Sequence, residues 1–256
     1  MKSNKWLILI LLIFCRCAND KMTIKENAFN LSISPGACFP EVSDKYVYPI
    51  VPGMIEWQQI KSTDEAYKLC QLPDSVLKSI STPGLIDALI HAPMFTDFYN
   101  LSDASSALKW FGHYEQFNCA KELFQRKDAG DALVTYFKLV CFDCVSPPFG
   151  YYGDFERIIG LQCLFAKKEI LDKMGHEKKK EAVSELLANY EQYSENWDSI
   201  VVMLHIMYED EYDPLVKYFK ENEDKYQHII KEGNLFLSDP IDLFVLFAKS
   251  FINEKN

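Results

Sequence analysis

Beyond residue 60, apolar side chains return every three or four positions, the spacing of a helix with one buried face. No run shows the strict alternation of a half-buried strand. Start signals cut this pattern into short helices. Ser62-Thr63-Asp64-Glu65 has the form of a capping box ahead of Ala66, Tyr67 and Leu69. Pro73-Asp74-Ser75 opens a second helix through Leu77 and Ile80. Ser81-Thr82-Pro83 opens a third, with Leu85, Ile86, Leu89 and Ile90, which Pro93 stops. Ser102 or Asp103 caps a fourth that carries Leu108 and Phe111, and 120–124 and 131–140 continue the pattern. In the second half, Phe155, Ile158, Ile159, Cys163, Phe165 and Ile170 predict one long helix from Asp154 to near Gly175. A helix over 178–193 carries Val183, Leu186, Leu187 and Tyr190 opposite its charges. The run 200–207 is apolar on all sides and reads as a buried helix, with a strand as the alternative. Segments 212–219 and 226–230 are shorter, and Ser238-Asp239-Pro240 caps a last helix over 241–251.

Short helices with short connections predict an all-α fold, an irregular helical bundle or a short superhelix of antiparallel helix pairs. An extended N-terminal tether precedes it. Residues 1–16 have the form of a signal peptide: Lys2 and Lys5 precede the apolar run from Trp6 to Phe14, which is too short to span a bilayer. Cys15 and Cys17 end the run, as in a bacterial lipoprotein signal, and Cys17 is the expected lipidation site. Residues 17–47 then read as a tether with an extended stretch, partly laid on the domain, and 48–256 as a single helical domain.

Composition narrows the function classes. The 18 Phe, 14 Tyr and 4 Trp supply a packed core, and with only 10 Gly and 11 Pro few turns remain for a many-stranded protein. Removing Lys2, Lys5 and Arg16 from 27 basic residues leaves 24 against 37 acids, a formal charge of −13. Such a surface repels phosphate backbones, so nucleic acid is excluded as a partner, and the membrane is reached only through the N-terminal lipid anchor.

No nucleophile elbow, dinucleotide fingerprint, phosphate loop or H-E-x-x-H occurs, so no catalytic residue, metal or cofactor is nominated. The five histidines fall at no metal-ligand spacing. His205 lies in an apolar run and reads as a core residue, and the others as surface or helix-end residues. Cys141-Phe142-Asp143-Cys144 is a C-x-x-C pair. Its place after a helix, where the dipole opposes thiolate, favours structural thiols or a disulfide over redox or zinc chemistry. Glu209, Asp210, Glu211 and Asp213 lack the calcium-loop spacing and read as a solvated turn. The loop Ser146-Pro147-Pro148-Phe149-Gly150-Tyr151-Tyr152-Gly153 has two readings. Phe149, Tyr151 and Tyr152 form a ligand platform, joined by Trp57 from the proline-rich lead-in, or the loop folds over the core with its rings inward.

Tyr48-Pro49-Ile50, Pro52-Gly53, Glu56-Trp57, Cys70-Gln71-Leu72-Pro73, Leu77, Ser81-Thr82, Leu85, Pro93 and Arg126-Lys127-Asp128-Ala129 together resemble a family of secreted proteins of gut Bacteroidetes and some other bacteria, read as lipoproteins. The match covers about 48–131. It implies an exported helical protein of the periplasm or outer membrane and carries over no catalytic residue. The expected function is a non-catalytic binding or interaction module of the cell envelope, its partner an envelope protein, peptide or glycan. The alternative is an envelope or extracellular hydrolase with a dispersed active site.

Overall fold

Two side-chain caps in the first half, Ser62 and Ser81, start helices where the sequence places them. The computed structural model describes residues 29–97, 107–142, 152–193 and 196–254. After a short α1 (Ile55–Gln58), Ser62 accepts from the Glu65 N–H at 3.2 Å and opens α2 (Thr63–Leu69). Glu65 reaches back to the Lys61 N–H at 2.8 Å, one residue further than a capping box requires. Helix α3 (Asp74–Ser79) follows Pro73, and Ser81 caps α4 (Thr82–Ile90), all of whose residues are buried. A short 3₁₀ turn leads into α5 (Trp110–Tyr114), followed by α6 (Asn118–Leu123) and α7 (Ala129–Phe137). The expected caps Ser102 and Asp103 lie outside the described residues.

The long helix expected from Asp154 to Gly175 is broken. Helix α8 (Tyr152–Cys163) gives way to the 3₁₀ turn Leu164–Ala166, and Lys167 is extended before α9 (Lys168–Leu171). This kink lets Lys167 bury its stem, with its ammonium 4.7 Å from the Phe111 ring centre and 5.2 Å from that of Phe124. Apolar periodicity alone does not register such a break.

Helix α10 (His176–Gln192) turns back into α11 (Trp197–Glu209), whose residues from Ser199 to Met207 are buried. The apolar run 200–207 is thus a central helix, not a strand. Around α11 pack α8, α10, α12 (Asp213–Glu221) and α13 (Ile241–Ile252). Around α4 pack α6, α7 and α8, so α8 touches both central helices and one hydrophobic core runs through the protein. The fold is all-α, an irregular bundle. Among the described residues the only β feature is an isolated bridge between Ser32 and Glu41.

Two expected caps and turns differ. Asp239 does not cap α13, where Pro240 holds the cap position. Its carboxylate is buried and takes Lys225 at 2.8 Å, His228 at 3.0 Å and the Phe236 N–H at 2.7 Å. Burial alone raises such a group, yet these partners outweigh it and hold Asp239 below the usual carboxylate range. Segment 226–230 lies within a π-turn, Tyr226–Lys231. Likewise, the acidic turn after α11 is not wholly solvated. Asp210 is drawn against the start of α10, 2.5 Å from His176 and 2.9 Å from Lys179.

His205 is buried, as its apolar setting implies, and His113, a helix-end residue in the last turn of α5, is buried too rather than on the surface. Its Nε2–H donates to the Phe95 carbonyl at 2.8 Å and its Nδ1 accepts from the Tyr67 hydroxyl at 3.2 Å. Burial lowers His113 to about 4 despite the Phe95 carbonyl, and lowers His205 to about 4 as well. An unfolded histidine titrates near about 6.5, so the unfolded chain binds more protons between about pH 6.5 and 4, and stability falls as pH drops through that window. Asp198, which burial raises to about 6, runs the other way and offsets one of the two histidines. Near pH 5 these three groups should cost about 1.4 kcal/mol of unfolding free energy per pH unit of acidification. Asp198→Asn should roughly double that slope. Urea titrations from pH 7 to 4.5 measure both, and a flat profile in Asp198→Asn would show the histidines to be protonated when folded.

Candidate functional site

From Phe29 to Tyr48 the chain crosses the helices as a strap, and its polar side chains decide where it is held. Asp44 accepts from the Ser81 N–H at 2.5 Å and from the Ser81 hydroxyl at 2.8 Å, which fastens the strap to the N-terminus of α4. Tyr48 donates its buried hydroxyl to the Ala88 carbonyl at 2.9 Å, and Phe39 stands perpendicular to the His91 ring at 5.2 Å. Ahead of these points Ser34 to Ala37 make a tight turn, with Gly36 at φ +80° and the Ala37 N–H on the Ser34 carbonyl at 3.0 Å. Cys38 and Cys141 are disulfide-bonded, and the Cys141 N–H donates to the Cys38 carbonyl at 2.9 Å, which binds the strap to the chain leaving α7. For Cys141 this is the structural reading of the C-x-x-C pair; Cys144 lies outside the described residues.

Strap, α4 and α8 together frame an open cleft of about 620 Å³. Strap residues 36–42 and Lys45 form one wall, and His91 and Asp154 the other. Asp87 lies fully buried behind His91 and Lys45. Its Oδ1 accepts from the Tyr136 hydroxyl at 3.1 Å and lies 3.2 Å from His91 Nδ1. Burial and then the adjacent carboxylate push the Tyr136 phenol well above its ordinary value, so it stays a donor. Asp87 Oδ2 has no hydrogen-bond partner; Lys45 Nζ stands off at 3.8 Å.

The tautomer of His91 follows from its neighbours. Nδ1 lies 2.9 Å from the Asp87 carbonyl, which only accepts, so Nδ1 carries a hydrogen. On the far wall Arg157 donates to Asp154 at 2.6 Å and to the Ile90 carbonyl at 3.0 Å, where it satisfies one of the last carbonyls of α4.

A second open hollow of about 540 Å³ lies between Tyr212, Pro214, Leu246 and Lys249, beside the exposed face of α13. Among the described residues no group of three or more His, Cys, Asp or Glu could hold a metal ion, and no helix is long and apolar enough to cross a membrane.

Among the residues singled out from the sequence as ligand-binding, only Trp57 has a described side chain, and it does not line this cleft. Trp57 is half-buried and packs its ring on the core from α1. Phe149 and Tyr151, like Cys17, lie outside the described residues, and Tyr152 opens α8 with its side chain outside them. The aromatic segment nevertheless runs in sequence directly into Asp154, one of the cleft walls. Asp87 and His91 were legible only as an i, i+4 pair on a helix, a spacing too common to mark a site. Lys45, placed in the tether, carried no signal at all. No family model, curated protein or solved structure matches the chain.

Proposed function

We propose that this protein is a non-catalytic binding module of the bacterial cell envelope, that its ligand site is the cleft under the strap, and that a lipid on Cys17 anchors it. What supports this reading above all is the construction of the cleft. A segment with little helical character of its own is fastened to α4 at Asp44 and Tyr48 and to the end of α7 by the Cys141 N–H on the Cys38 carbonyl, leaving an open, mixed polar and aromatic hollow beneath it. Ligand sites pair an apolar wall with a few placed polar groups in this way. The exported chain carries −13 after residue 16, which disfavours anionic polymers and leaves an envelope protein, peptide or glycan as the partner.

Capture from solubilised envelope fractions, read by mass spectrometry, tests the proposal. A set of partners that Phe39→Ala and His91→Ala both lose, with unchanged melting temperature, is the expected result; capture indifferent to both changes would move the site elsewhere. In the same cells Cys17→Ala should shift the protein from the membrane to the soluble exported fraction, and an unchanged distribution removes the anchor.

A hydrolase is the second reading, and one observation favours it. His91 lines the cleft with its Nδ1 held at Asp87, the arrangement in which a histidine general base is oriented through one nitrogen. Turnover of an envelope peptide or glycan abolished by His91→Gln would establish it.

A further inference from the structure

We propose that residues 47–60, the lead-in to the helices, rest on the surface of a zwitterionic lipid bilayer, a second contact beside the lipid on Cys17. The inference rests on the anchor in the reading above, which keeps the domain beside a membrane. It names the face that the domain turns to that membrane.

The lead-in is set apart by its charge. From Val47 to Ile60 its only charged residue is Glu56, in a chain of which 25% is charged. Its side chains divide into an inward and an outward set. Tyr48 is buried and tied to the Ala88 carbonyl, and Val51, Trp57 and Ile60 pack on the core. Val47 and Ile55, by contrast, are 76% and 71% exposed, and Met54 is exposed with them. A turn closed by the Met54 N–H on the Val51 carbonyl at 3.2 Å, with Gly53 at φ +97°, leads into Met54 and Ile55. A Cβ on Gly53 would meet nothing within 4 Å, so this turn stands clear of the rest of the protein. Helix α1 after it buries no residue. Because their neighbours are pinned inward, the exposed side chains cannot fold back onto the core, and only an outside surface can take them from water.

The charge of −13 makes the anchor the only route to a bilayer for the chain as a whole, but this face does not share that charge. Lys45 and Lys61 flank it, and long lysine stems let an ammonium reach headgroup phosphates while the apolar residues between them lie lower. Around its ends Asp44 is spent on Ser81, and Glu65 on the Lys61 N–H.

The tether sets the range. Twelve residue steps lead from Cys17 to Phe29 and span at most about 40 Å. A domain of this size is about 45 Å across. The anchored domain therefore stays within its own width of the bilayer, where a contact too weak to recruit a free protein still forms. A second copy of the chain is the poorer occupant, since it brings another −13, whereas zwitterionic lipid brings no net charge.

Photolabelling tests the proposal. The exported protein is mixed with phosphatidylcholine vesicles containing a phosphatidylcholine that carries a diazirine on one acyl chain near the headgroup. Mass spectrometry of the digested protein then locates the label. Beyond the tether itself, label should concentrate in residues 45–61. Val47→Asp combined with Ile55→Asp should reduce it about fivefold with unchanged melting temperature, both side chains being exposed. Leu237→Asp, at an exposed leucine in another loop, should leave it unchanged. Label spread evenly over the domain, or full labelling of the double variant, would overturn the proposal. A protein lost from envelope capture by the double variant, with no label in the wild-type lead-in, would also overturn it and give the face to that protein. An unlabelled lead-in in protein that Cys17 holds on the vesicles means that this inference fails alone. A labelled lead-in in protein without lipid upholds the contact and removes the anchor.

Discussion

Replacing Cys38 with serine is expected to lower the melting temperature by about 10 °C, and replacing Cys141 to lower it by the same amount. Both cysteines are disulfide-bonded, whereas Cys70, Cys119 and Cys163 are buried free thiols. The hydrogen bond between the Cys141 N–H and the Cys38 carbonyl brings the two backbones into the range a disulfide spans. A bridge between them closes a loop of about 100 residues, and loss of a native disulfide typically costs about 2–5 kcal/mol. The physical origin lies mainly in the unfolded chain, which regains the freedom that the cross-link withheld. The double variant Cys38→Ser, Cys141→Ser should then be no less stable than either single one, as calorimetry will show. Additive losses would mean two separate bridges. A matching loss in Cys144→Ser would assign the partner of Cys141 to Cys144. The same change should also widen the cleft, since the strap between Ser32 and Asp44 has few other ties to the helices.

The second large effect is expected at Gly160. Adding one methyl there should destabilise the protein by about 2–3 kcal/mol, even though alanine is the better helix former. A Cβ at this position would sit 2.6 Å from Phe95 Cζ and 2.7 Å from Trp110 Cζ3. Those rings are themselves wedged together, with Phe95 and Trp110 at 5.0 Å and Trp110 and Tyr114 stacked at 5.9 Å. None can turn aside as a flexible side chain would. Tyr114 also donates its hydroxyl to the Gly160 carbonyl, so a backbone shift in α8 would disturb that bond too. Two other glycines calibrate the effect. Gly130→Ala presses on Met174 Cγ, but methionine has the freedom to move, so the cost should be smaller. Gly112→Ala meets nothing within 4 Å and should stabilise by about 0.5–1 kcal/mol. Urea unfolding of the three variants tests the order, and a neutral Gly160→Ala would mean that α8 does not press on the aromatic stack.

By itself the sequence determined the all-α class and most helix starts in this protein, because those depend on interactions a few residues long. Ser62 and Ser81 cap where their hydroxyls reach the next turn, Pro73 and Pro83 sit where a missing N–H costs nothing, and the apolar run 200–207 has no polar face to expose. Where a local signal competed with a distant partner, the partner won. Asp239 gave up its cap for Lys225 and His228, Asp210 left water for His176 and Lys179, and Lys167 broke a helix to lie over Phe111 and Phe124. Each pairs a charge with groups far along the chain, and burying a charge is tolerated only where such partners meet. The cleft belongs wholly to that second kind. Lys45, Asp87 and Asp154 come from the strap and two different helices, and Tyr136 completes them from a fourth element. Only the packing of α4 against α7 and α8 brings these groups within a few ångströms, and no spacing along the chain records that distance.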